Sequence, residues 1–200
     1  MLKFGFEREF FVMKGDSVVI PSHPIPRDGV LAEARGKPDA CPIEAAYSLL
    51  AEEHRMRGWL PEGLTFSEVP VLKVSRELRI KSARTAAKGL VHYQNLYGHA
   101  RHRHKQSEMT AGLHVSVTRS REIFTEKGSM RVNEMFDYAQ LVRRMDDVFF
   151  KEIKAASRRP GFYEIKGDGR VEYRSLPNDI DIMAVAEFLD SNVKHIHGSW

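Results

Sequence analysis

The sequence predicts an α+β domain: a largely antiparallel, curved β-sheet with helices packed on one face and a charged, concave face on the other. Three observations predict it. Short segments of alternating character are joined by tight turns, the clearest being Gly167-Asp168-Gly169 between Phe162–Lys166 and Arg170–Ser175. A few longer segments carry apolar residues at spacings of three and four, the period of a helix with one buried face. The two kinds do not alternate regularly along the chain, which argues for α+β rather than a parallel α/β sheet.

Taken in order, Lys3 to Met13 is Phe-rich and alternating and reads as a strand. Lys14-Gly15-Asp16 is a turn into a second short strand, Ser17 to Ile20. Pro21 to Gly29 contains three prolines and is expected to be irregular. Val30 to Arg35 resumes as a strand. Pro42 opens a helix, since a first-turn proline lacks only an N–H that would have no partner there. Ala46, Leu49, Leu50 and His54 mark its inner face, and Gly58 and Pro61 end it. Leu64 to Ser75 makes one or two strands. A helix is expected within Ala83 to Gly98, followed by an exposed loop at His99-Ala100-Arg101-His102-Arg103-His104-Lys105.

Leu113 to Thr118 is a strand. Asn133 is expected to cap a long helix from Glu134 to about Ser157, with Met135, Phe136, Leu141, Val142, Met145, Val148, Phe149 and Ile153 inward. The hairpin described above follows. Asp179 then caps a last helix to about Val193, with Ile182, Val185, Ala186 and Leu189 inward.

Two hundred residues with ordinary apolar content make a single domain spanning 1–200, long enough to bury a real core. No run of eighteen apolar residues is present, so no membrane span is expected. The N-terminus lacks the apolar core and cleavage site of a signal peptide. Cys41 is the only cysteine, which excludes an internal disulfide and a multi-cysteine zinc site, and it receives no catalytic role. A reducing cytoplasm is the expected compartment. The formal charge of +4 permits an anionic ligand without demanding nucleic acid. Neither a Gly-x-x-x-x-Gly-Lys phosphate loop nor a dinucleotide fingerprint occurs.

Function is argued from four segments that place Glu, His or Arg at i, i+2: Gly5-Phe6-Glu7-Arg8-Glu9-Phe10-Phe11, Leu31-Ala32-Glu33-Ala34-Arg35, Gly112-Leu113-His114-Val115-Ser116-Val117 and Val171-Glu172-Tyr173-Arg174. Residues i and i+2 of a strand share a face. Glu7 and Glu9 therefore lie close together, and a divalent cation resolves their repulsion, magnesium or manganese suiting oxygen ligands better than zinc. A solvated edge strand accounts for the same pair. His114 reads first as a structural strand histidine, and the metal-ligand reading gains weight only if Glu7 and Glu172 lie beside it. Glu172 with Arg174, and Glu33 with Arg35, read either as exposed ion pairs or as a metal ligand beside a phosphoryl-binding guanidinium. The His99–Lys105 run reads as a solvated loop, a transition-metal tract or a nucleic-acid contact.

In this order, the four motifs, the last extended to Val-Glu-Tyr-Arg-Ser-Leu-Pro at 171–177, resemble the carboxylate–amine ligases of the glutamine synthetase and glutamate–cysteine ligase superfamily, and most closely the small phage-type amidoligases. The resemblance covers residues 5 to 177. It implies a funnel-shaped antiparallel sheet whose concave face binds ATP and two or three magnesium ions, with manganese as a substitute. It implies a C–N bond-forming ligase, which phosphorylates a small-molecule or peptide carboxylate so that an amine can displace the phosphate. Glu7, Glu9, Glu33, His114 and Glu172 would be metal ligands, and Glu7, His114 and Arg174 would contact the nucleotide. Arg174 would stabilise the transferring phosphoryl group, with Arg35 as a second catalytic arginine. The cytoplasm, the host's if the chain is phage-encoded, is the implied location.

Where the superfamily often has a second histidine two residues after the first, this chain has Ser116. The chain is also much shorter than the full-length synthetases, which implies that substrate-recognition elements are absent or come from another subunit of an oligomer. The general base has no motif, and Glu77 and Glu108 are the carboxylates considered for it. Two other readings stand beside the ligase. One is a non-catalytic relative that binds a peptide or nucleic acid, and the other is a metal-dependent hydrolase using the His/Glu cluster.

Overall fold

The computed structural model describes residues 1–88, 94–99, 107–125, 128–134 and 137–197. Its first half contains strands β1 (Leu2–Lys14), β2 (Ser17–Val19), β3 (Arg27–Asp28) and β4 (Leu31–Arg35), helix α1 (Pro42–Gly58), strands β5 (Leu64–Ser67) and β6 (Val71–Lys73), and helix α2 (Arg76–Lys88). There follow β7 (Gln94–Asn95), β8 (Glu108–Thr110), β9 (Gly112–Thr125), β10 (Gly128–Glu134), α3 (Tyr138–Val148), α4 (Phe150–Ala155), β11 (Phe162–Ile165), β12 (Val171–Pro177) and α5 (Ile182–His197). The fold is α+β.

Among the described residues, ten strands form one sheet with the spatial order β3-β4-β1-β9-β12-β11-β7, while β10 pairs β9, and β2 and β5 pair β1. A separate ladder joins β6 and β8. Every ladder is antiparallel. Among the described residues the two longest strands, β1 and β9, lie side by side at the centre of the large sheet.

Alternation along β1 divides the molecule. Leu2, Phe4, Phe6, Phe10 and Val12 enter the main core with Leu113, Val115 and Val117 of β9. Ala45, Ala46 and Leu49 of α1, Met145 of α3, Ile153 of α4 and Val185 and Leu189 of α5 cover this face. The odd residues of β1 face the other way, and there Gly5, Glu7 and Glu9 give way to Phe11. Phe11 joins Val30, Leu31, Ala111 and Leu78 of α2 in a second apolar cluster. One helix thus packs on the side of the sheet that carries the charged residues.

Several expectations are corrected. Asn133 does not cap a helix. It lies in β10, opposite Ser120 of a β9 that runs well beyond Thr118. The cap is Asp137, whose Oδ1 accepts from the Gln140 amide at 3.1 Å. The long helix is split at Phe149, and Val148 is exposed rather than inward. Met135 and Phe136 lie outside the described residues. At α5 it is Asp181, not Asp179, that accepts a first-turn amide, from Met183 at 2.8 Å. The helix expected within Ala83–Gly98 begins earlier, at Arg76, and Gln94–Asn95 is a strand. In α1, His54 is exposed, and Glu53 and Met56 take the inner positions. Arg27–Asp28, in the proline-rich segment, pairs with β4. Of the His99–Lys105 run, only His99 is described. No helix among the described residues is long and apolar enough to cross a membrane.

Candidate functional site

Strand register assembles the site. Glu7 of β1 stands opposite His114 of β9 on one side and Arg35 of β4 on the other. Glu9 stands opposite Glu33. Glu172 of β12 stands opposite Ser116 of β9 and Glu164 of β11. Directly opposed residues project to the same face, so five strands deliver Glu7, Glu9, Glu33, His114, Glu172 and Glu164 to one surface.

A β-bulge lies at the centre. Tyr173 pairs with Val115 and Leu176 with Leu113, so Arg174 and Ser175 together oppose His114. Such an insertion bends the strand and re-aims its side chains. Arg158, almost fully buried, holds the bulge. Its guanidinium donates to the carbonyls of Arg174 at 2.6 Å, Ser175 at 3.0 Å and Ala111 at 3.3 Å. Tyr173, on the core face between Glu172 and Arg174, donates its hydroxyl to Asp146 at 2.5 Å, and Asp146 also accepts from the Gly161 amide at 2.9 Å. Burial raises both the Asp146 and the Tyr173 pKa, which keeps the phenol a donor.

Glu7, His114 and Glu172 each offer one ligand atom, all within 4.8 Å of one another. His114 is 2% exposed and Glu172 1%. The imidazole reaches toward carboxylates on both sides, with Nδ1 3.8 Å from Glu172 and Nε2 3.7 Å from Glu9. These gaps are too wide for hydrogen bonds. In an octahedral magnesium site with bonds of about 2.1 Å, ligand atoms lie about 3 Å apart when adjacent and about 4.2 Å apart when opposite. Side-chain adjustments of up to about 1 Å would close the group on a cation. Glu172 Oε2, buried, accepts no hydrogen bond among the described residues. Two carboxylates and one imidazole make a mixed oxygen and nitrogen donor set that suits a divalent cation.

The remaining predicted residues surround these three. Glu9 accepts from the Gly112 amide at 2.9 Å. Its burial raises its pKa, against the opposing pull of Arg174 and Arg158. Glu33 is pushed up to about 7, first by burial and then by Glu7. Arg35 donates from Nε to Glu33 at 2.7 Å and lies 3.9 Å from Glu7, with 62% of its side chain exposed. Arg174 hydrogen-bonds Glu172 and lies 3.4 Å from Glu164. All seven residues singled out from the sequence therefore meet on one face.

The sequence reading missed Glu164, Lys166, Arg170 and Arg158. Lys166 Nζ lies 2.7 Å from Glu164 and 3.4 Å from Glu172, and Arg170 lies 3.8 Å from Glu7. The first three were findable. Counting outward from the Gly167-Asp168-Gly169 turn pairs Lys166 with Arg170 and Glu164 with Glu172. Arg158 had no local signal. The carboxylates considered as a base do not join the group. Glu77 is exposed in the first turn of α2. Glu108 lines a separate groove of about 710 Å³ with Val71, Phe149, Glu152 and Asp181.

Comparison of the chain with protein-family models, with curated proteins and with solved structures found no match.

Proposed function

We propose that the protein is an ATP- and magnesium-dependent carboxylate–amine ligase with a glutamine synthetase-like sheet. It would form an amide or isopeptide bond through an acyl phosphate. The observation that carries this reading is the meeting of Glu7, His114 and Glu172 within 4.8 Å, with Glu9, Glu33 and Arg174 around them. The order and content of the four sequence motifs support the same reading.

The chemistry suits this face. A carboxylate is a poor acyl donor because its oxygen is a poor leaving group, and transfer of the γ-phosphoryl group makes that oxygen part of a phosphate. Glu7, His114 and Glu172 would hold one cation, with Glu9 and Glu33 beside them for another. Bound magnesium, or manganese in its place, would neutralise charge on the phosphoryl oxygens. Arg174 is fixed by Glu172 and by its own carbonyl on Arg158, and its planar fork matches phosphoryl oxygens. The amine then attacks the acyl carbon, loses a proton and expels phosphate.

The test is ADP release from Mg-ATP across a panel of small-molecule and peptide carboxylates paired with amines. Wild-type protein should release ADP and phosphate only when both partners are present. Glu172→Gln should abolish turnover while its circular dichroism stays unchanged, and wild-type turnover in that variant would contradict the metal role. A second reading, a non-catalytic relative binding peptide or nucleic acid, is favoured by Ser116 standing opposite Glu172, where the ligases often carry histidine. Calorimetry separates the two. Salt-sensitive binding of short DNA without Mg-ATP binding would favour the second.

A further inference from the structure

We propose that Lys166 and Arg170, which flank the turn between β11 and β12, are phosphate-binding residues held in reserve. Each rests against a carboxylate of the cation cluster, yields it to an incoming divalent cation, and then takes phosphate oxygens that arrive with that cation. The inference rests on reading the cluster as a cation site, as proposed above.

Geometry places both residues there. Lys166 Nζ sits 3.4 Å from Glu172 Oε2, the buried atom that accepts no hydrogen bond among the described residues. Arg170 sits 3.8 Å from Glu7. Neither approach is a hydrogen bond. The close partners lie elsewhere, Arg174 on Glu172 and Glu164 on Lys166 at 2.7 Å. The two contacts that a cation would replace are therefore the loose ones. Lys166 and Arg170 are also 26% and 30% exposed, at the ends of a hairpin turn, so both heads can swing outward without unpacking the core.

Charge balance explains why they should move. Glu7, Glu9, Glu33, Glu164 and Glu172 face Arg35, Lys166, Arg170 and Arg174. With every carboxylate drawn into its ionised form, as a bound cation would draw it, that is five negative charges against four positive. A dication alone would turn the group from −1 to +1 and take the carboxylates that Lys166 and Arg170 lean on, leaving both cations open to the phosphate oxygens of a polyphosphate that arrives with it. Cation and polyphosphate binding should therefore strengthen each other, by the same factor in either order. Lys166 and Arg170 oppose the cation when it comes alone and favour the pair.

Titration calorimetry tests this with the full chain, using Mn²⁺ alone as the first probe and inorganic triphosphate in saturating Mn²⁺ as the second. Lys166→Met and Arg170→Met should each bind Mn²⁺ alone about three- to tenfold more tightly than wild type, the loss of a partly exposed opposing charge. The same variants should bind Mn²⁺–triphosphate about tenfold more weakly. Lys166→Arg, which keeps the charge, should behave as wild type, and unchanged melting temperatures would show that the fold is retained. Unchanged or weaker Mn²⁺ binding in both variants would overturn the proposal, as would tighter Mn²⁺ binding with unaltered triphosphate affinity. If wild-type protein bound no Mn²⁺ under any condition, the cation-site reading itself would fail, and this inference with it.

Discussion

Replacing Arg158 by methionine should unfold the protein more readily than any change of charge on its surface. The side chain is 4% exposed and donates to the carbonyls of Ala111, Arg174 and Ser175. Methionine fills much of the same volume and donates nothing. A hydrogen bond from a charged donor contributes about 1.5–3 kcal/mol, and each carbonyl left buried and unmet costs about 1–3 kcal/mol. The sum overstates the loss, because removing the guanidinium also removes the cost of burying its charge. A net destabilisation of about 3–5 kcal/mol is expected. For a chain of this size that lowers the melting temperature by about 10 °C. Arg158→Lys, which keeps the charge but cannot reach all three carbonyls, should lose about half as much. Urea unfolding followed by circular dichroism gives the midpoint and slope for each variant. A loss below about 1 kcal/mol for Arg158→Met, with an unchanged slope, would refute the view that this residue holds the bulge behind Arg174.

Glu33 makes stability depend on pH. Its folded pKa of about 7 lies above the ordinary 4.5, so the fold favours the protonated form. The contribution is fully present below about pH 4.5 and is lost as pH rises through about 7, a difference on the order of 3 kcal/mol. Unfolding in chelator at pH 5 and pH 8 should show wild type losing more stability than Glu33→Gln, and equal losses would rule this out. Gly112→Ala should destabilise by about 1–3 kcal/mol in the same assay, because a Cβ there would lie 2.8 Å from the Arg158 guanidinium and 3.1 Å from the Leu176 carbonyl oxygen. A neutral result would mean that the strand and Arg158 separate freely.

What could be read from the sequence was what local spacing encodes. The i, i+2 rule alone placed Glu7 with Glu9, Glu33 with Arg35 and Glu172 with Arg174 on common faces, and the Gly167-Asp168-Gly169 turn gave the last hairpin. What could not be read depended on partners distant in sequence. Asn133 has the chemistry of a helix cap, but the pairing of β10 with β9 overrides it, and no residue near Asn133 announces that pairing. Arg8, between Glu7 and Glu9, stands on the core face of β1. It faces the helices, paired with Glu53 of α1 at 3.4 Å and donating to the Ile180 carbonyl at 3.3 Å. The bulge at Arg174–Ser175 has no marker in composition, because it is fixed by a buried arginine and by register with β9. The helix boundary at Arg76 was obscured by a first turn rich in charge, whose only strongly buried member is Leu78.

The central claim is that one face of the sheet holds divalent cations between Glu7, His114 and Glu172. The most direct test is an anomalous difference map from crystals soaked in manganese and ATP. The account predicts a manganese peak bounded by those three side chains, with the γ-phosphate beside Arg174. A map with nucleotide bound elsewhere, or with manganese only on exposed carboxylates outside this face, would contradict it.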